Sequence, residues 1–192
     1  WLLSRRTGVI PLSTAHGWAG STARERYLYY PAEKRLLRRF PRVIAVSSVI
    51  RAELERHGVP PGRISVILNS IDPDALRRDP SRGDPVRAEL GLRSDDVVIG
   101  AVGRLEREKR FDLLIEAFAP LVRERPALRL VIVGAGSLQA ELSALAARLG
   151  IQDACLFPGH RPDIANLHQG FDLLVQSSET EGTPNAVLEA MA

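Results

Sequence analysis

The chain has 192 residues, of which 45% are apolar and 26% charged, with a formal net charge of +3. That is ordinary globular composition, enough for one large domain or two small ones, and it excludes a disordered, collagen-like or low-complexity chain. The single cysteine, Cys155, excludes a disulfide framework within the chain, and no apolar run approaches the ~20 residues of a membrane-spanning helix.

The charge is unevenly placed. Residues 1–78 hold 14 Lys/Arg and 6 Asp/Glu, a balance of +8, whereas residues 79–192 hold 12 and 17, a balance of −5. Such asymmetry points to two units with different surfaces, and the basic half suits an anionic partner. The basic run has few interleaved aromatics and no nucleic-acid module is recognisable, so nucleic acid is set aside as a partner. The chain starts at Trp1 and stops within an apolar stretch that carries no helix-ending signal. Both ends therefore read as internal to a longer protein, and this piece alone is expected to be inactive. A reducing, cytoplasmic setting is expected.

Taken in order, Val9 to Thr14 reads as a strand running into the loop Ala15-His16-Gly17-Trp18-Ala19-Gly20, where His16 stands either at a cleft edge or as a backbone-bonded loop residue. Residues 22–40 read as helical, interrupted near Pro31. Their part Lys34 to Phe40 is basic and amphipathic, a pattern of a solvated face or of peripheral contact with an anionic membrane. Val43 to Val46 is a buried strand, and Val49 to His57 a helix closed by Gly58. Ile64 to Leu68 is another strand, ending at Asn69-Ser70-Ile71-Asp72. Strands and helices at this spacing predict βαβ units and a parallel sheet.

Residues 79–96, rich in Pro, Asp, Arg and Gly, read as an interdomain linker with a short helix from Val86 to Leu90 inside it. A second α/β run follows. It has strands at Val97–Gly103, Leu128–Val133, Ala154–Phe157 and Phe171–Gln176, and helices at Phe111–Glu124, Ser137–Leu149 and Pro162–His168. The expected domains are 1–78 and 97–192. Cys155 reads as a buried thiol, and His57 and His168 as helix-surface or capping residues.

Ligands bind beyond the carboxyl ends of parallel strands, which selects the loops 103–110, 134–137 and 177–185. In the first, Gly103 is followed by Arg104 and Lys109, a fork and a point charge suited to a diphosphate. In the second, Gly134-x-Gly136 partly matches a dinucleotide fingerprint, but Gln139 stands at the third glycine position and Asp153 precedes its strand instead of closing it, which argues against a nicotinamide or flavin. His160, after Gly159, either lines the cleft or is structural. In the third loop, Glu181 and Glu189 flank seven residues. Thr183 reads as an N-cap with Pro184 at the first helical position, leaving the N–H groups of Asn185 and Ala186 free to meet an anion, and Gly182 lets a ligand approach closely. Glu189 lies in an otherwise apolar segment and needs donors that a solvent-facing position or ligand hydroxyls would supply. The four histidines have no metal-ligand spacing.

The stretches STAHGW, VIAVSSVIRAEL, SVILNSID, GAVGRLEREKRFDLLIEAF, LVIVGAGSLQAEL, FPGHRPDI and SSETEGTPNAVLEAMA appear in this order. Together they resemble the retaining GT-B glycosyltransferases of family 4, the glycosyl transferases group 1 domain, over essentially the whole chain. The resemblance implies an α/β GT-B fold of two Rossmann-like domains with parallel sheets, both incomplete here. It implies a retaining hexosyltransferase that uses a nucleotide-diphosphate sugar (UDP-, GDP- or ADP-linked) and no metal or other cofactor, with a sugar, lipid-linked or small-molecule acceptor. By position, Arg104 and Lys109 would grip the donor diphosphate, Glu181 would lie by the transferred sugar, and Glu189 would bond the ribose. The backbone from Gly182 through Thr183 and Asn185 to Ala186 would meet the sugar and distal phosphate, with Gly103, Gly134 and His160 on the donor side. His16 would stand near the reacting carbon. The alternatives are an epimerase of the same architecture and a non-catalytic nucleotide-sugar-binding module. Two positions depart from the family pattern: Ser70, where glycine often follows the asparagine, and Arg110, where glycine often follows the lysine.

Overall fold

The computed structural model describes residues 7–18, 24–179 and 181–192. The expected loop residues Ala19 and Gly20, the first two residues of the expected 22–40 helix, and Thr180 lie outside the described residues. The chain divides into two units, Trp1–Ser70 with Thr180–Pro184, and Ile71–Glu179 with Asn185–Ala192. Among the described residues no helix is long and apolar enough to cross a membrane.

The first unit is a parallel three-stranded sheet in the order β1 (Leu12–Ala15), β2 (Arg42–Ala45), β3 (Ile64–Val66). The third strand is two residues shorter than expected, and Ile67 and Leu68 are exposed. Helix α1 (Tyr30–Leu37) carries Pro31 in its first turn, and the five residues before it, Glu25–Tyr29, widen into a π-helical turn. The Tyr30 N–H accordingly bonds back to the Glu25 carbonyl. The proline has no N–H to donate and its ring crowds the preceding turn, so the widened turn lets the helix continue through a point where an interruption was expected. Helix α2 (Ser48–Arg56) is capped by Ser47, whose hydroxyl oxygen accepts the Ile50 N–H at 3.2 Å, and Gly58 follows it at φ +80°. Leu37, Val43, Ala45, Ile50, Leu54 and Val59 form the core.

The second unit is a four-stranded parallel sheet in the order β6 (Cys155–Gly159), β5 (Leu128–Val133), β4 (Val97–Val102), β7 (Leu173–Leu174). Alternate residues of β5 face opposite ways. Leu130 and Ile132 pack under α5 (Phe111–Glu124) and α6 (Gln139–Arg148), together with Ile115, Phe118 and Leu142. Val131 and Val133 pack with Val86, Leu167 and Phe171 on the other face. The near-continuous apolar run of β5 follows from this double coverage. Cys155 lies in the core, and burial pushes its thiol pKa up to about 11.

The expected linker folds into this unit. After the short helix α3 (Pro73–Leu76), residues Pro80–Glu89 form the ten-residue helix α4, longer than the expected 86–90, packed on α7 (Ile164–Gly170). The change between units falls at Ser70/Ile71, earlier than the composition suggests. Its polar sequence is explained by its bonds. Arg87 donates to the carbonyls of Gly170 and Asp96, each at 3.1 Å, and to Asp172 Oδ2 at 2.7 Å, and that same oxygen accepts the Val98 N–H. Buried Gln169 accepts the Asp79 N–H at 2.7 Å and donates toward the carbonyls of Leu76 and Arg77. Of the expected strand 171–176, Leu173 and Leu174 pair with β4, and Phe171 is buried in the core.

Arg87→Ala should lower unfolding free energy by about 2 kcal/mol, since it removes a donor from two carbonyls and leaves the Asp172 carboxylate without its cation. Urea denaturation of the wild type, Arg87→Ala and Arg87→Lys checks this. Lysine, lacking the fork, should recover only part of the loss.

Candidate functional site

The loops that follow β4, β5 and β6 lie together at the carboxyl edge of the second sheet. Backbone bonds join them: Gly103 N–H to the Val133 carbonyl and Gly134 N–H to the Gly159 carbonyl, both 2.9 Å. Leu105 then donates to the Ala135 carbonyl and accepts from Leu138 N–H, both at 3.0 Å. A Cβ on Gly134 would stand 1.8 Å from the Gly103 carbonyl oxygen, and one on Gly136 2.4 Å from that of Leu105. Gly134 also has φ +149°, a region left almost entirely to glycine. The glycine pair that half matches a dinucleotide fingerprint is therefore required for two loops to meet. Glu106 completes the contact. Its carboxylate accepts the Ser137 N–H at 2.9 Å and the Ser137 hydroxyl at 2.8 Å, just before α6. The Glu106 carboxylate thus takes up backbone and side-chain donors immediately ahead of that helix.

A cavity of about 220 Å³ opens beside these loops, lined by Val102, Gly103, Arg104, Gly134, His160 and Arg161 among others. Four of the residues expected on the donor side are thus brought together. Arg104 Nη2 is 2.6 Å from Glu108 Oε1, yet its side chain remains 69% exposed. Glu108 is largely buried, and its Oε2 has no hydrogen-bond partner among the described residues. The stem of Lys109 runs across Gly103, its Cε 3.2 Å from where a Cβ would be. Arg107–Lys109 form a 3-10 turn that hands over to α5 through Arg110, the one positive-φ non-glycine among the described residues, at φ 50°. This is the left-handed corner that a glycine would occupy without strain. Arg110 stands there with its guanidinium paired to Asp112 at 3.1 Å, and Asp112 in turn holds the Arg110 pKa above its ordinary value.

Glu189 lies in a different cavity of about 90 Å³, with Arg78, His168, Gln169 and Asp172 in its lining. It belongs to α8 (Asn185–Met191), a seven-residue helix that starts one residue after the expected Pro184, with Asn185 exposed and Ala186 partly buried. His168, expected as a helix-surface or capping residue, is buried, with a side chain 6% exposed. Its Nε2 stands 3.5 Å from Glu189 Oε2, at the limit of hydrogen-bonding distance, and has no hydrogen-bond partner among the described residues. Burial holds its pKa below the ordinary 6.5, while Glu189 pulls the opposite way.

In the first unit, His16 is exposed directly after β1. Gly182 approaches the His16 carbonyl so closely that a Cβ would stand 2.9 Å from it. Thr183 donates its hydroxyl to the Val46 carbonyl at 3.0 Å and accepts from Asn69 Nδ2 at 3.2 Å through its own carbonyl. Its hydroxyl proton is thus directed at the carbonyl that follows β2, and Asn69 gains a partner. Glu181 is partly buried. Among the described residues no group of three His, Cys, Asp or Glu could hold a metal ion.

The model of the glycosyl transferases group 1 family matches residues 84–192, more than half of the chain. The chain belongs to that family. A second model, Glycosyltransferase Family 4, matches residues 1–75. The Bacillus subtilis (strain 168) protein EpsD is 35% identical over 98% of this chain and 51% of its own length. A D-inositol 3-phosphate glycosyltransferase of Gordonia bronchialis is 33% identical over 100% of this chain and 46% of its own. Anabaena Alr3699/HepE, solved in complex with UDP and glucose, superposes with a TM-score of 0.86 at 25% identity, covering 99% of this chain and 52% of its own. This glycosyltransferase-family chain spans about half the length of the relatives it matches. Its parallel α/β units are of the GT-B class.

Reading the sequence alone missed Glu106, Glu108 and the burial of His168. The first two lie in a loop whose charges look uniformly solvated, and only their partners distinguish them.

Gly134→Ala should cost about 3 kcal/mol, because the new methyl group collides with backbone that cannot retreat without opening both loops. The urea midpoint should fall with the slope unchanged. For His168 the native state holds fewer protons than the unfolded chain. Its contribution to stability is present above about pH 6.5 and is lost as the pH falls through its folded pKa. The stability difference between wild type and His168→Gln, measured by denaturation from about pH 7.5 to about pH 5, should therefore shift against the wild type as acid is added.

Proposed function

We propose that the protein is a retaining, metal-independent glycosyltransferase that moves a hexosyl group from a nucleoside-diphosphate sugar to an acceptor hydroxyl. The observation that carries this reading is the cavity at the ends of β4, β5 and β6, where Gly103, Arg104, Gly134 and His160 converge and Lys109 crosses Gly103. The UDP-glucose complex of HepE, 25% identical over 99% of this chain, supports a nucleotide-sugar donor of that kind.

Arg104 and Lys109 are assigned the diphosphate. Glu108 takes one N–H of Arg104, and the exposed remainder of the guanidinium is left to meet phosphate oxygens in its fork geometry. As the bond from the anomeric carbon to the distal phosphate oxygen breaks, negative charge grows on the leaving diphosphate, and two fixed cations stabilise it without a divalent ion. The acceptor oxygen forms its bond on the same face, and its proton passes to the departing phosphate oxygen. In the second unit Glu189 is assigned the ribose hydroxyls, and Asn185 and Ala186 the distal phosphate. In the first unit Glu181, Gly182 and Thr183 are assigned the sugar, and His16 a place near the reacting carbon.

The test is sugar transfer and donor hydrolysis by the full-length protein with UDP-, GDP- and ADP-sugars, with and without EDTA. Replacing both Arg104 and Lys109 by Ala should lower kcat/KM by about a hundredfold or more, and EDTA should leave the rate unchanged. Full activity in the double variant overturns the diphosphate assignment, a strict need for added metal overturns metal independence, and an inverted anomeric signal in the product NMR spectrum overturns retention.

A further inference from the structure

We propose that His168 is a positioning residue for Glu189, fixing the orientation in which that carboxylate meets a nucleotide ribose. This rests on the assignment of the ribose hydroxyls to Glu189. The two residues come from neighbouring helices, α7 and α8, which touch. The His168 side chain is 6% exposed and that of Glu189 27%, so the histidine closes the inner side of the carboxylate while the outer side stays open. The ring is held edge-on against Phe171, centroids 5.8 Å apart at 83°, which limits the directions its nitrogens can take.

The neighbouring polar side chains each have another partner. Arg78 donates to the Phe171 carbonyl at 2.7 Å, Asp172 is held by Arg87 and the Val98 N–H, and the Gln169 amide is engaged by Leu76, Arg77 and Asp79. His168 Nε2, 3.5 Å from Glu189 Oε2, is a buried nitrogen of this cavity with no hydrogen-bond partner among the described residues. Leaving a buried ring nitrogen unsatisfied is costly, and a small shift of either side chain makes the bond. A carboxylate offers about four lone-pair positions. A donor on Oε2 leaves Oε1 and the outer edge for two ribose hydroxyls. A neutral imidazole suits this better than a cation, which would compete with the ligand for the carboxylate. Burial favours the neutral ring.

The test is calorimetric binding of UDP, GDP and ADP, and of 2′,3′-dideoxyuridine diphosphate, to the full-length wild type and to His168→Leu, Glu189→Gln and the double variant. For the ribonucleotide that binds, Glu189→Gln and His168→Leu should each weaken binding about tenfold, and the double variant no more than Glu189→Gln alone. Neither substitution should change binding of the dideoxy compound. His168→Gln, whose amide reaches the same place as Nε2, should stay near the wild type. If His168→Leu does not fold, His168→Asn takes its place, because its shorter amide cannot reach Glu189. Wild-type affinity in His168→Leu or His168→Asn, or losses that add in the double variant, overturn the proposal while leaving Glu189 on the ribose. Wild-type affinity in Glu189→Gln overturns the ribose assignment itself and the positioning role with it.

Discussion

The second unit depends on the close meeting of two backbones at the ends of β4 and β5. Gly134 and Gly136 come within the space a side chain would need, so that Leu105 can bond on both sides to the neighbouring loop. Three consequences follow. The loop carrying Arg104 and Lys109 is held at both of its ends, because Glu106 grips Ser137 and Arg110 begins α5. The cavity beside it has walls of backbone that cannot drift. The loop that carries these charges is thereby tied to the backbone of its neighbour.

Carboxylates do much of the arranging in a loop that seems defined by its cations. Glu106 fills the start of α6 and Glu108 faces Arg104, so two of the negative charges there are structural. The Arg110 corner follows the same logic. A left-handed residue is needed between the 3-10 turn and α5, and an arginine held by Asp112 serves where glycine would be free of strain. His168 and Glu189 bring a base and an acid to 3.5 Å from two touching helices.

Much of this was legible in the chain. The helix Phe111–Glu124 and the strand Leu128–Val133 fall where periodicity puts them, since both sides of that strand and one side of that helix are apolar. The parallel, two-unit α/β class follows from the alternation of such elements. Residues 79–96 were misjudged as a linker because their polar groups satisfy partners about 70 to 90 positions away, Arg87 with Gly170 and Asp172 being the clearest case. Local composition carries no record of partners that distant. The bond from the Thr183 hydroxyl to the Val46 carbonyl, 137 residues earlier, is likewise invisible in local composition.

The sequence by itself determined the fold class, the family, and the residue types offered to a ligand, because these rest on periodicity and on motifs read locally along the chain. Tertiary structure decided which of those residues share a cavity. Arg104, Gly103, Gly134 and His160 converge because parallel strands place their carboxyl ends side by side. It also decided that Glu189 keeps company with a buried histidine, and that a glycine pair suggestive of a cofactor is there for packing. Burial and unspent hydrogen bonds are properties of a position in space, and they exist only once distant segments of chain have been brought together.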